Sequence, residues 1–191
     1  MLEIIKSVIS GLEVDHYKII EDTIESKELF FIKKDLDMNR GKAVVNYAVT
    51  IYRVFEEDDQ KYMGSSTVSI SPTMEKSDVE KILEKAAYAA TFVKNPYYPM
   101  AKPSEKEAMA IESQFSKEDI MQLMMGFKDS IYKNDMEELG GVNSAEIFLN
   151  RGKRRIVTSE GIDVEFNHYD GEIELITDWE ENGESVELYN M

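Results

Sequence analysis

Two histidines, no cysteine and a large surplus of carboxylates set the chemistry open to this 191-residue chain. His16 stands in VDHYK and His168 in FNHYD, and neither has a second histidine at helical ligand spacing. A zinc hydrolase needs two or three N, O or S ligands at fixed spacing, usually with a carboxylate base beside them. The sequence holds no HExxH or HExxxH pattern. The lack of cysteine removes thiolate nucleophiles, thiolate ligands and disulfides together. Neither histidine lies in a recognisable triad context, and there is no GxSxG elbow. No Walker loop or GxGxxG offers a phosphate cradle. Paired carboxylates abound, but among 38 acidic residues such pairs arise by chance and define no glycosidase site. The residues therefore point to no catalytic side chain, no metal ligand and no cofactor in this chain. They identify no substrate-binding residue either. Each histidine reads as a strand residue beside a tyrosine.

The charge balance narrows the partners. With 38 acidic against 22 basic residues, the formal net charge is −16. Such a field repels nucleic acid and anionic membranes unless a basic patch is segregated on one face. The one dense basic run is Arg151, Lys153, Arg154 and Arg155, in NRGKRRI. Short basic runs beside turns are usually solvated, so neither nucleic acid nor membrane is expected as a partner. No apolar stretch is long enough to span a bilayer. The N-terminus, MLEIIKSVISGLEVD, lacks the basic, apolar and small-residue segments of a signal peptide, and the expected location is the cytoplasm.

The elements that would position any site follow from periodicity. At 191 residues and 42% hydrophobic content the chain suits a single domain, residues 1–191, with a substantial core. Leu2, Ile5 and Ile9 mark a short opening helix. YKIIEDTI and KELFFIKK read as two β segments, followed by a turn cluster at Asp37, Asn39 and Gly41. Lys42 to Phe55 alternates as a strand, with Ala43, Val45, Tyr47, Val49 and Ile51 on one face. A polar hairpin loop, Glu56 to Gln60, leads into a returning strand, Lys61 to Ile70. Gly64, Ser65 and Ser66 predict a bulge there, or the close approach of another backbone. Ser77 with Glu80 gives a capping box for a helix whose face carries Val79, Ile82, Leu83, Ala86, Ala90 and Val93. The small residues of AAYAA would let it sit close against a sheet.

After Asn95-Pro96 comes the least regular part of the chain, PYYPMAKPSEKEAMAIESQ. A second helix is expected from Ser116 as N-cap, with Ile120, Leu123, Met124, Phe127 and Ile131 as its stripe. Met121, Met124 and Met125 suit an adaptable binding face, but at this spacing methionine is more often core filler. Beyond Gly140-Gly141 the pattern predicts strands at Ser144–Asn150, Arg155–Ser159, Ile162–Tyr169, Glu172–Trp179 and near Ser185–Tyr189. Arg151-Gly152, Glu160-Gly161, Asp170-Gly171 and Asn182-Gly183 are the expected hairpin turns. The order is strands, helix, helix, strands. This is an α+β fold, a largely antiparallel sheet with two main helices packed on one face. Strand order is left open, since several topologies fit the same elements.

Three segments resemble the N-terminal domain of the TldD/PmbA family, also named for modulation of DNA gyrase. The first is the strand KYMGSSTVSIS entering a helix, and the second is that helix with its Pro-Tyr sequel, VEKILEKAAYAATFVKNPYYP. The third, NSAEIFLNRGKRRIVTSEGIDVEF, is similar to the family's strand–turn–strand and carries Asn143, Glu146, Ser159 and Gly161. The resemblance covers roughly residues 15 to 190.

The resemblance implies a metallopeptidase family whose catalytic members hold zinc through an HExxxH helix and a distant cysteine, both located after this domain. None of those residues is present here. The chain is thus expected to be the non-catalytic N-terminal domain of a longer protein, either a zinc peptidase or its zinc-free, PmbA-type partner subunit. It would help wall a cleft that holds an unfolded peptide. Pairing at a sheet edge suits that task because backbone hydrogen bonds read no particular side chain. Gly64–Ser66 and the Ser159–Gly161 turn are the places to look. A free-standing protein-protein interaction module, docking through the helix of residues 116–134 or the Pro-Tyr segment, is the other reading. The frame downstream of Met191 separates the three.

Overall fold

β-Branched and aromatic residues alternate with polar ones over longer spans than the turn signals suggest, and four strands run for 17, 23, 19 and 19 residues. The computed structural model describes residues 1–105, 113–133, 135 and 140–191. Its elements are α1 (Leu2–Ile9), β1 (His16–Ile32), β2 (Asp35–Glu57), β3 (Gln60–Ile70), α2 (Lys76–Ala90), the single turn α3 (Gln114–Lys117), α4 (Ile120–Tyr132), β4 (Gly140–Thr158), β5 (Asp163–Glu181) and β6 (Glu184–Asn190). The strands form one antiparallel sheet in the order β3-β2-β1-β4-β5-β6, and the α+β class is as expected.

Several expected breaks are absent. The two segments of residues 17–34 form one strand, β1, and the cluster Asp37, Asn39, Gly41 lies inside β2. The reversal falls earlier, at Lys33-Lys34, where Lys33 takes φ 52°. Cross-strand pairs hold the region extended: Arg40 and Lys42 both reach Glu28, and the Arg40 guanidinium lies 5.4 Å from the Phe30 ring centre. Arg151-Gly152 and Asp170-Gly171 are likewise strand interior rather than turns. A Cβ on Gly152 would stand 1.9 Å from His168 Nε2, and one on Gly171 would stand 2.6 Å from Leu149 Cδ2. These glycines make room for neighbouring side chains. Glu160-Gly161 and Asn182-Gly183 do turn the chain, with φ 89° at Gly161 and 81° at Gly183.

Both expected helix caps move. α2 begins at Lys76 with Glu75 as N-cap and no side-chain cap bond, so Ser77 lies within the first turn and forms no capping box. Ser116 lies in α3, and α4 is capped instead by Asp119, whose carboxylate accepts from the Met121 and Gln122 N–H groups at 2.9 and 3.1 Å. The PYYP segment is irregular, apart from a bridge between Tyr62 and Pro96; residues 106–112 lie outside the described residues.

The chain divides into two compact units. Unit 1 comprises Met1–Thr23, Val44–Met109 and Lys153–Phe166; unit 2 comprises Ile24–Ala43, Ala110–Gly152 and Asn167–Met191. In unit 1, α1 places Leu2, Ile5, Val8 and Ile9 with Val79, Leu83, Ala86 and Ala87 of α2 against Ile19, Tyr47, Val49, Ile51, Ile70 and Val157. Each valine, leucine or isoleucine among them, fully buried, contributes about 1.5–3 kcal/mol. In unit 2, Ile120, Met124 and Tyr132 of α4 pack on Leu29, Phe31, Ala145, Ile147 and Leu149. Met124 is fully buried and Met121 packs against that core, while Met125 is 39% exposed. Core filling therefore accounts for two of the three methionines.

Candidate functional site

Sheet pairing brings together three residues that sequence spacing could not. His16, the first residue of β1, has its Nδ1 2.9 Å from Glu160 Oε1 and 3.4 Å from Ser159 Oγ. The three types could in principle compose a nucleophilic triad. That arrangement needs the hydroxyl on one ring nitrogen and the carboxylate on the other. Here both face Nδ1, and Ser159 Oγ also accepts from the Tyr17 N–H at 3.3 Å. The grouping fastens the Ser159–Gly161 turn to the start of β1 and does not prepare a nucleophile. No sequence signal announced it, because 143 and 144 positions separate the partners.

The Gly64–Ser66 stretch pairs with β2 in unbroken register, Arg53 opposite Gly64, so no bulge exists. The close approach is real: a Cβ on Gly64 would stand 1.8 Å from the Ala90 carbonyl oxygen and 2.5 Å from that of Val93. The adjoining edge of β3 is also taken, since the Met63 N–H donates to Asn95 O at 2.9 Å and the Tyr97 N–H to Lys61 O at 3.2 Å. A bound strand would have to displace the segment that follows α2.

The basic run spends its charge on neighbouring carboxylates and carbonyls. Arg154 binds Asp22 through two bonds of 2.7 Å, and Arg155 binds Asp163 at 2.7 and 2.8 Å. Lys153 pairs with Glu165 at 2.7 Å, while Arg151 donates to the Glu118 carbonyl. The Arg155 hydrogen bonds hold the Asp163 carboxyl below the usual carboxylate range.

Asn143, Glu146, Ser159 and Gly161 are divided between the two units. Ser159 and Gly161 belong to unit 1, whereas Asn143 and Glu146 belong to unit 2. Asn143 donates to Glu187 Oε1 at 3.2 Å. Burial, and then the charge of Glu174, raise the Glu146 carboxyl above its ordinary value against the pull of Arg40. Glu174 also accepts from the Tyr189 hydroxyl, a bond that raises that phenol to about 12.

Unit 2 carries the more open feature. β6 pairs with β5 from Leu175 opposite Asn190 to Glu181 opposite Glu184, and it is the last strand of the sheet. All its residues are exposed, including Val186 at 56% and Leu188 at 62%. A hollow of about 650 Å³ adjoins its turn, lined by Asp178, Glu180, Glu181 and Lys33 among others. The sequence held a signal for this region in its charge, but not in any motif. Among the described residues there is no group of three or more His, Cys, Asp or Glu placed to hold a metal ion. The described residues thus offer no fit for zinc, and no helix among them is long and apolar enough to cross a membrane.

The fold has clear relatives among solved structures. The chain aligns over 100% of its length with TldE from Thermococcus kodakarensis, at a TM-score of 0.62 and 15% identity, covering 42% of that protein. It aligns over 98% with a candidate modulator of a DNA gyrase from Thermotoga maritima (TM-score 0.59, 16% identity). A similar candidate modulator from Bacteroides thetaiotaomicron matches over 98% at a TM-score of 0.56 and 10% identity. The chain again covers 42% of each. No family model and no curated protein matches the sequence. These likenesses place the fold in the structural class that the sequence resemblance indicated.

Proposed function

We propose that this chain is a non-catalytic, N-terminal domain of a TldD/PmbA-type metallopeptidase, or of its zinc-free partner subunit, and helps form the cleft that holds an unfolded peptide. The observation that carries this reading is the alignment of essentially the whole chain with 42% of TldE and of two candidate gyrase modulators. The resemblance assigns zinc chemistry to the family's catalytic members and leaves this domain to hold the peptide. The partner is the remainder of the same protein or a TldD/PmbA-type subunit, and the setting is the cytoplasm. Nucleic acid and membrane are not partners in this reading, which agrees with the carboxylate partners of Lys153, Arg154 and Arg155.

The test is photo-crosslinking with an unfolded peptide that carries a photoreactive residue, followed by mapping of the adducts. Adducts on ordered surface support peptide holding; adducts confined to the two chain ends sink it.

One observation favours the interaction-module reading. Tyr88, Phe92, Tyr97 and Tyr98 are 69%, 66%, 39% and 50% exposed around the end of α2, and Tyr88 and Phe92 pack edge to face at 4.9 Å. If that surface is the docking site, Tyr88→Ser with Phe92→Ser abolishes partner capture and leaves peptide crosslinking unchanged.

A further inference from the structure

The outer edge of β6 has no strand beside it among the described residues. Along that edge the backbone donors and acceptors of β6 have no ladder partner among the described residues. Natural sheets usually blunt such an edge with lysine, proline, a bulge or an inward charge. β6, ESVELYN, contains no lysine or proline, and its register with β5 is unbroken. Two faces flank the edge. On one, Val186 lies opposite Trp179 and Leu188 opposite Thr177, with Trp179 50% exposed. On the other, Glu187 lies opposite Asp178 and Ser185 opposite Glu180.

Charge selects the occupant. Residues 156–191 contain eleven acidic residues and no lysine or arginine. A second copy pairing antiparallel along the whole of β6 would set Glu187 directly against its own copy, and like charges directly opposite are destabilising. The hollow beside the β5–β6 turn adds Asp178, Glu180 and Glu181, with Lys33 as the one basic lining residue among the described residues. A cationic side chain entering there meets a surplus of carboxylate.

We infer that β6 is a docking strand for an extended peptide with apolar residues at every second position and lysine or arginine between them. The apolar set would cover Val186, Leu188 and Trp179, and the basic set would face Glu187, Asp178 and Glu180. Main-chain bonds along the edge supply affinity, and the two faces supply selection. This inference rests on the peptide-holding reading and names its docking strand and substrate class.

The test uses the 191-residue chain labelled with ¹⁵N and capped peptides about as long as β6. One alternates valine with lysine, a second valine with glutamate, and a third is the lysine peptide with alternate backbone nitrogens methylated. The lysine peptide is expected to shift the amides of residues 184–190 and slow their exchange. The glutamate and methylated peptides should each bind at least about tenfold more weakly, the latter because the edge loses its main-chain partners. Raising NaCl from about 50 to about 500 mM should weaken the lysine peptide by about tenfold. Glu180→Lys with Glu187→Lys, both at exposed positions, should reverse the order of the two charged peptides.

Equal binding of the lysine and glutamate peptides overturns the charge selection and leaves peptide holding intact. Undiminished binding of the methylated peptide, or shifts centred away from β6, overturns the docking strand. Failure of all three overturns the inference, and the crosslinking result then decides separately whether peptide holding survives. Concentration-dependent protection of residues 184–190 without peptide, together with a dimer mass, assigns the edge to a second copy and overturns it as well.

Discussion

At Gly64 and Glu146 single side chains carry consequences that can be measured directly. The carbonyls of Ala90 and Val93 occupy the space a Cβ would need on Gly64, and both are backbone atoms that cannot swing aside. Gly64→Ala is expected to cost about 3 kcal/mol, read from the urea midpoint. Glu146 titrates in the opposite sense to a paired carboxylate. Its folded value is raised, chiefly by burial and then by Glu174, so the folded state holds the proton more tightly than the unfolded chain. Stability is therefore full below the unfolded value, and it declines as pH rises through the folded one. Glu146→Gln should exceed the parent by on the order of 0.5 kcal/mol at neutral pH. Near about pH 3, where both carboxyls are protonated, urea unfolding should show the two as equal. Gly64 was legible as a place of close approach because only a residue without a side chain serves there. The His16–Glu160–Ser159 grouping was not, since each type is ordinary by itself and only strand pairing joins them.

Among the elements, strands and helices were legible wherever periodicity persists, and their ends were not. Asp119 displaced the expected Ser116 cap because its carboxylate reaches two free N–H groups at the start of α4. Asp119→Ala should lower stability by about 1 kcal/mol. Ser116→Ala and Ser77→Ala should each stay within about 0.5 kcal/mol, as thermal unfolding would register. Turns separate in the same way. Asn182 and Gly183 adopt φ 54° and 81°, a conformation that Asn-Gly takes readily. Gly183→Ala should cost about 1 kcal/mol. Hydrogen exchange should then quicken in β6 and leave α2 unchanged. Arg151-Gly152, also expected as a turn, stays extended, and its glycine leaves within the strand the space that the His168 ring occupies.

For the molecule as a whole, the net charge of −16 opposes compaction at neutral pH. Raising NaCl from about 20 to about 200 mM shortens the screening length and should raise the urea midpoint. A flat or falling midpoint would mean that ion pairs such as Arg154–Asp22 outweigh the repulsion.

The sequence by itself determined the α+β class, the two amphipathic helices, the lack of a recognisable catalytic or metal motif and the acidic character of the chain's last portion. These depend on local period and composition, which any stretch of residues reveals without its neighbours. Only the tertiary structure decided the strand order, the division into two units, the covering of the β3 edge near Gly64 and the exposure of β6. Those depend on which distant segments pair. The same alternation of side chains suits a strand at the centre of a sheet or at its rim.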